Sequence, residues 1–152
     1  MTAPTTRSKP ASSSVPPAQH AQAQAHRQAY NRRKTRAKVK SDVRSARSQA
    51  VALYYQARST AFMTGRFTTL TFTGNQAVIT ATPRLSGVGT ADTIGNVQNL
   101  GQLYGVTVTV SPGNAVAVDP RGLGNSVPTT VYFTRSGQQD SMLVTGFGRV
   151  IR

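Results

Sequence analysis

The sequence predicts an α+β fold in which one long N-terminal helix packs on an antiparallel β-sheet, preceded by a disordered basic tail. Two changes along the chain lead to this prediction. All 13 glycines lie at or after Gly65, and four of the eight prolines lie within the first 17 residues. Apolar residues recur every three or four positions before Gly65 and mainly at every second position after it. These spacings are the periods of a helix and of a strand.

Residues 1–35 are interpreted as the disordered basic tail. Residues 1–20 contain four prolines and no aromatic residue, so they cannot bury enough apolar surface to offset the entropy of ordering. Residues 21–35 are rich in alanine, glutamine and arginine, which favours a helix, but they lack an apolar face. We therefore expect them to fray, or to become helical when a partner neutralises their charge.

Residues 36–65 are predicted to form the long amphipathic helix. No glycine or proline lies between Ala18 and Thr64, and Gly65 provides a natural helix stop. Apolar residues follow alternating spacings of four and three, which places them on one stripe of a helix. This packing stripe consists of Val39, Val43, Ala46, Ala50, Leu53, Ala57 and Ala61. Its small side chains would allow a sheet to approach closely.

Residues 66–152 are predicted to form an antiparallel β domain of about six or seven strands. Turn residues between β-prone runs indicate two hairpins. The first would join residues 67–73 to residues 76–82, and the second would join residues 106–110 to residues 115–118.

The rest of the β domain is less regular in sequence. Residues 83–92 are expected to form a loop, and residues 93–103 leave open either a short helix or an irregular loop. Further strands are expected at residues 129–134, 141–145 and 149–152. The aromatic residues expected to pack in the core are Tyr54, Tyr55, Phe62, Phe67, Phe72, Tyr132 and Phe133.

Composition argues against an enzyme. The chain has no cysteine, which excludes disulfides, thiolate metal sites and thiol catalysis. Its two histidines, His20 and His26, lie in a polar N-terminal stretch, and its four aspartates are far apart in sequence. Asp119 is expected to cap a type I turn rather than to bind a metal. The sequence therefore predicts no catalytic residue, no cofactor and no metal site.

Positive charge is concentrated near the N-terminus. The net charge is +14, and residues 1–48 contain eleven basic residues and a single acid, Asp42. Such a run can neutralise the phosphates of a nucleic acid or anionic lipid headgroups, or it can be a solvated helix start without a partner. Two arginines near the C-terminus either protect a terminal edge strand or form a small anion site. The polyanion-binding candidates are Arg32, Arg33, Lys34, Arg36, Lys38, Lys40, Arg149 and Arg152.

No stretch of the sequence approaches 18 consecutive apolar residues, and the N-terminus has no apolar region of the kind found in signal peptides. The sequence by itself therefore predicts a soluble chain.

Four short motifs follow one another in a characteristic order. They are, in chain order, Ala57-Arg58, Gly65-Arg66, Pro120-Arg121-Gly122 and Gly148-Arg149. An Ala-Arg-rich helix that ends in a Gly-Arg step, a late Pro-x-Gly turn and a Gly-Arg ending resemble the GspH/FimT-like minor pseudopilins of type II secretion and type IV pilus systems. The resemblance covers about residues 36–152.

This resemblance implies a pilin-like helix packed on a sheet, and a structural subunit that assembles with other pilin or pseudopilin subunits in the cell envelope, meaning the inner membrane and periplasm or the pilus. It implies contact with a membrane only if the native protein carries a hydrophobic N-terminus. It also implies weak DNA binding through Arg149 and Arg152, although the second arginine lies one residue further along than in the Gly-Arg-x-Arg form of the family.

A second hypothesis is a nucleic-acid-binding structural protein with a basic arm, such as a small viral coat protein. It is supported by the charge asymmetry, and its partner would be a nucleic acid bound through residues 1–48. A helix of roughly 30 residues between arm and sheet is less typical of a coat jelly roll. Removal of residues 1–40 should abolish binding if this hypothesis holds.

Overall fold

The computed structural model describes residues 17–83, 89–124 and 127–152. The chain divides into two compact units between Arg36 and Ala37. The first helix, α1 (Pro17–Thr64), contributes residues to both units.

The helix begins at Pro17 and not at residue 36, so it includes residues 17–35, which the sequence placed in the basic tail. No glycine, proline or β-branched residue lies between Ala18 and Arg33, and propensity alone therefore favours the helix there. Pro17 suits the first turn, where its missing N–H group has no partner in any case. Residues 1–16 of the predicted tail lie outside the described residues.

Eight strands and one short helix follow α1. In chain order they are β1 (Thr68–Thr73), β2 (Gln76–Ala81), β3 (Asp92–Asn99), α2 (Leu100–Tyr104), β4 (Thr107–Ser111), β5 (Ala115–Val118), β6 (Thr129–Arg135), β7 (Gln138–Val144) and β8 (Val150–Ile151). The described strands form two four-stranded antiparallel sheets with the orders β3-β2-β1-β5 and β4-β6-β7-β8.

The first predicted hairpin is present as β1 and β2. Its two turn residues, Gly74 and Asn75, both have positive φ angles, of 56° and 65°. This is the backbone of a tight hairpin turn, and it suits a glycine and an asparagine. Leu70 pairs with Ile79 in the resulting register, and both side chains are buried.

The second predicted hairpin is wrong. β4 pairs with β6, where Val108 lies opposite Phe133, and β5 pairs with β1, where Val116 lies opposite Leu70. The segment between β4 and β5 therefore carries the chain from one sheet to the other. Turn residues predict a change of direction, but the partner of each strand depends on burial against residues distant in sequence.

Residues 92–99 form a strand, β3, where the sequence predicted the end of a loop followed by a short helix or an irregular loop. The helical spacing of Ile94, Val97 and Leu100 misled this prediction, because only Leu100 is fully buried and Val97 is half exposed. The short helix begins only at Leu100. It is capped by the side chain of Asn99, which accepts a hydrogen bond from the Gln102 N–H group at 2.9 Å.

The core lies between α1 and both sheets. All seven residues of the packing stripe are buried, together with Val51 and Tyr54. Buried side chains alternate along β1, β6 and β7, and the apolar ones form one cluster with the stripe residues from Val43 to Ala61. The hydroxyl of Thr68 in β1 donates to the carbonyl of Ala57 at 2.9 Å, and Arg47 pairs with Asp140 in β7 at 2.8 Å. The predicted fold class, a long helix packed on antiparallel sheet, is confirmed.

Three of the aromatic residues expected in the core are exposed. Tyr54, Phe72 and Phe133 are buried, but Tyr55, Phe62 and Phe67 are 47%, 71% and 56% exposed. Phe62 and Phe67 lie beyond the last residue of the stripe and before β1. Within the part of the chain described here, no helix is both long and apolar enough to cross a membrane.

Candidate functional site

Four of the predicted polyanion-binding residues lie in the unit that ends at Arg36. Arg32, Arg33, Lys34 and Arg36 are all exposed on α1. Arg36 is three residues from Arg33 and four from Arg32, so these guanidinium groups occupy neighbouring positions on one helix face. Residues 17–36 contain no acidic side chain. Like charges at this spacing destabilise a helix, and a bound anion would relieve that repulsion.

Lys38 and Lys40 are exposed on the part of α1 that belongs to the second unit. Lys40 and Arg44 line a depression of about 600 Å³ together with three serines and Tyr104. Lys40 and Arg44 have no carboxylate partner in the structure, because each of the four aspartates pairs with another arginine. Sequence reasoning missed Arg44 as a site residue, although its i, i+4 spacing from Lys40 was a usable signal.

The two C-terminal candidates, Arg149 and Arg152, are exposed and flank β8 at the edge of its sheet. In extended backbone, side chains three residues apart point to opposite faces. The geometry therefore offers no support for one anion site built from both arginines. Exposed charges beside a short edge strand fit protection of that edge from further pairing.

Every acidic side chain of the protein is held in an internal ion pair. The chain has four aspartates and no glutamate. The pairs are Asp42 with Arg135, Asp92 with Arg66 at 2.7 Å, Asp119 with Arg121 at 2.9 Å, and Asp140 with Arg47 at 2.8 Å. The aspartate side chains are therefore all paired within the fold, whereas most basic side chains of the described residues take part in no ion pair.

The turn at Asp119 is built as the sequence predicted. The N–H of Gly122 donates to the Asp119 carbonyl at 2.8 Å, which closes the turn. The carboxylate accepts hydrogen bonds from the N–H groups of Leu123 at 2.8 Å and Arg121 at 2.9 Å. The hydrogen bond from Leu123, aided by those from Arg121, holds the pKa of the Asp119 carboxyl below its usual range. Asp119 thus acts in the turn. The described residues contain no cluster of three or more potential metal ligands.

Three of the four motifs meet in space around Arg58. The guanidinium Nη1 of Arg58 donates to the carbonyl of Gly148 at 3.4 Å. A Cβ atom on Gly122 would lie 3.3 Å from Nε of Arg58. A Cβ atom on Gly148 would lie 2.9 Å from the carbonyl oxygen of Gly122 and 3.1 Å from the hydroxyl of Tyr54. These glycines are therefore required where two loops and α1 approach closely, and sequence reasoning could not have predicted that contact.

The hydroxyl of Tyr54 lies at the centre of this contact. It is buried, it has no hydrogen-bond partner in the structure, and burial raises its pKa. Its ring belongs to the buried apolar cluster, and its hydroxyl lies close to Gly148. Tyr54 therefore packs α1 against the turn near the C-terminus. Its hydroxyl stays protonated near neutral pH, because its pKa is raised.

A long helix packed through small residues on antiparallel sheets defines the pilin-like class of α+β folds. No protein-family model matches the sequence, and no curated protein matches it. Two crystal forms of the type IV minor pilin FimU from Pseudomonas aeruginosa have the same fold. One has a TM-score of 0.57 at 13% identity and covers 73% of this chain and 87% of that chain. The other has a TM-score of 0.56 at 15% identity and covers 71% of this chain and 90% of that chain. The chain therefore has a minor pilin-like fold, as its motifs predicted.

Proposed function

We propose that this protein is a structural subunit of a type IV pilus or of a type II secretion pseudopilus, where it contacts other pilin or pseudopilin subunits. The main support is the docking of residues 37–64 along both sheets, in a fold shared with a minor pilin. The role is one of assembly, and no catalytic step is proposed. Its place would be the cell envelope, with membrane contact supplied by a hydrophobic N-terminus if the native protein carries one.

The test is to locate the protein in its own cells. Surface filaments are sheared from cells that express an epitope-tagged copy, and the filament and cell fractions are blotted. We expect the tagged protein in the filament or envelope fraction, and we expect fewer or altered filaments when its gene is deleted. A protein found only in the cytoplasm, in cells whose filaments are unchanged by the deletion, would overturn the proposal.

A second candidate function is polyanion binding by the exposed basic residues of α1, with DNA as the first ligand to test. It is favoured by the absence of acids from residues 17–36 and by the shared face of Arg32, Arg33 and Arg36. This candidate function keeps the nucleic-acid binding of the coat-protein hypothesis. It does not require the fold of a viral coat protein. Because phosphate contacts release counterions, binding should weaken steeply with salt.

Two double variants can locate the contact. The affinity for a fluorescent DNA duplex of random sequence is measured over a salt series for Arg32→Gln/Arg36→Gln and, as a control of equal charge, Arg149→Gln/Arg152→Gln. We expect the helix variant to lower the salt slope by roughly 1.8, because each lost phosphate contact contributes about 0.9. The C-terminal control should keep its slope. A loss confined to the C-terminal variant would place the contact at the edge strand instead.

A further inference from the structure

A surface of aromatic residues and arginines surrounds the turn that begins at Asp119. On one side, Phe67 and Phe147 line a groove of about 780 Å³, together with Leu123 and Pro128. Phe147 is 84% exposed, the largest value among the exposed large apolar residues of the described chain.

On the other side of the same turn, Tyr55, Phe62 and Arg58 line a smaller groove of about 360 Å³. Arg121 lines both grooves, so the two lie next to each other at its side chain. Together the two grooves form a surface that is called the aromatic–arginine surface below. It consists of Tyr55, Arg58, Phe62, Phe67, Arg121 and Phe147.

The composition of this surface is that of a protein interface. Aromatic residues and arginine are enriched in the energetically important parts of interfaces, where they fill pockets that exclude water. The four aromatic side chains are 47% to 84% exposed, although each could bury on the order of 150–250 Å². The isolated domain therefore gains only part of the stabilisation that these side chains could provide. A partner that covers them would recover that gain.

The surface is also held in place before any partner arrives. Tyr55 and Phe62 lie on α1, and Arg121 is fixed by Asp119. The turn that carries Phe147 is closed by the Gly148 N–H group, which donates to the Thr145 carbonyl at 2.8 Å. Preorganised side chains lose less conformational entropy on binding than mobile ones do.

Charge indicates which kind of partner fits. Arg58 has no carboxylate partner in the structure, and Arg121 is 80% exposed beside its own Asp119. A second copy of this chain could supply no carboxylate side chain without breaking an internal pair, since all four aspartates are already paired. It would also bring a further net charge of +14. Self-association through this surface is therefore electrostatically unfavourable.

We propose that the aromatic–arginine surface binds a different protein, through a segment that carries apolar side chains beside an aspartate or glutamate. The apolar groups would fill the two grooves, and the carboxylate would accept hydrogen bonds from Arg121 and Arg58 between them. This inference rests on the proposed function, because the partner it describes would be another subunit of the same assembly.

The test uses a library of random peptides displayed on yeast and selected on the full-length protein at raised salt, which suppresses attraction to the basic part of α1. We expect selected peptides to combine aromatic or large aliphatic residues with a nearby carboxylate. Their affinity should fall at least about tenfold on Phe147→Ser, the loss expected of an interface hot spot. It should also fall on Arg121→Gln, and less on Arg121→Lys.

A control with equal loss of charge separates this surface from the basic helix. Lys38→Gln/Lys40→Gln should leave the affinity of the selected peptides unchanged. Phe147 is mostly exposed, so its variant should keep the wild-type melting temperature. Peptides without carboxylates, or peptides whose binding is lost in the lysine variant and kept in Phe147→Ser, would overturn the inference.

Sedimentation velocity tests whether a second copy of this chain binds the aromatic–arginine surface instead. We expect a monomer, and a dimer that dissociates in Phe147→Ser would overturn the inference. The proposed function is judged separately by the filament fraction. If the protein is present in filaments while the selection shows no dependence on Phe147 or Arg121, the inference fails and the proposed function stands. If the selection succeeds and the protein is absent from the envelope, the proposed function fails and so does the choice of a pilus subunit as partner, whereas the binding chemistry of the aromatic–arginine surface stands.

Discussion

The two stretches of α1, residues 17–36 and residues 37–64, are helical for different reasons. In the first, every side chain described, from His20 to Arg36, is exposed. In the second, the seven-residue stripe and Tyr54 are buried. Helix propensity explains the first stretch, and burial of an apolar face explains the second. An apolar stripe is therefore needed to predict packing, but it is not needed for a helix.

Charge differs between the same two stretches in a related way. The first has only basic ionisable side chains besides its histidines and Tyr30, so its positive charges are exposed and uncompensated. In the second, Asp42 pairs with Arg135 and Arg47 pairs with Asp140, which ties α1 to β6 and β7. In residues 37–64, ion pairs therefore help to hold the helix on the sheets. In residues 17–36, the positive side chains remain free to contact a ligand.

Hydrogen exchange should show the largest difference between them. We expect amides of residues 20–36 to exchange nearly as fast as those of an unfolded peptide, because a helix without tertiary contacts is only marginally stable. Amides between Val43 and Ala61 should exchange only on global unfolding, which for a domain of this kind costs about 5–15 kcal/mol. Equal protection of both stretches, measured by mass spectrometry or NMR, would contradict this view of α1.

Two tyrosines of α1 provide a matched pair of substitutions. Tyr54→Ala should reduce the free energy of unfolding by about 3–5 kcal/mol, since it empties a fully buried aromatic site beneath the C-terminal turn. Tyr30→Ala should change it by less than about 0.5 kcal/mol, because Tyr30 is 66% exposed. Urea denaturation measures both values. Similar losses in the two variants would mean that Tyr30 is also packed.

Two arginines extend the comparison to charge. Arg135 donates to the carboxylate of Asp42 and, at 2.6 Å, to the carbonyl of Tyr104. Arg135→Ala should therefore cost about 1–3 kcal/mol, because it leaves partly buried acceptors without a donor. Arg33→Ala should be neutral or slightly stabilising, as it removes a like charge from an exposed helix face.

A double-mutant cycle can isolate the Arg135 contribution. Asp42→Ala combined with Arg135→Ala should cost less than the sum of the two single changes, since the two groups interact. Strict additivity would show that the ion pair contributes nothing and that the loss comes from the Tyr104 contact alone.

Much of this fold follows from local sequence, and the exceptions depend on contacts distant in sequence. The stripe from Val39 to Ala61 and the turn at Gly74 and Asn75 could be predicted because period and turn chemistry are local. β3 could not, because it contains Gly95 and its exposed face gives no alternation, and only pairing with β2 makes it a strand. The partners of β4 and β5 were likewise decided by the core.

The candidate binding surfaces also differ in how far local sequence could predict them. The exposed basic residues of α1 were evident from the charge run alone. The contact of Arg58 with Gly122 and Gly148 was not, because it joins residues some 60 to 90 positions apart. Phe62 and Phe67 were wrongly predicted to lie in the core, since aromatic character alone does not distinguish a buried side chain from an exposed one.

The smallest expected effect is a dependence on pH that only the second unit should show. The folded-state pKa of Asp119 lies below its ordinary value of about 3.9. Its ionised form therefore stabilises the fold fully above that value, and the contribution is lost as the pH falls through the folded-state pKa. Asp119→Asn should be less stable than the wild type at pH 7, and the difference should narrow toward pH 3 in urea titrations. The helical signal of a C-terminally amidated peptide spanning residues 17–36, with His20→Gln and His26→Gln, should not change over the same range, because no side chain that titrates between pH 7 and pH 3 remains in it. A difference that widens on acidification would show that the protonated form of Asp119, and not the ionised form, stabilises the turn.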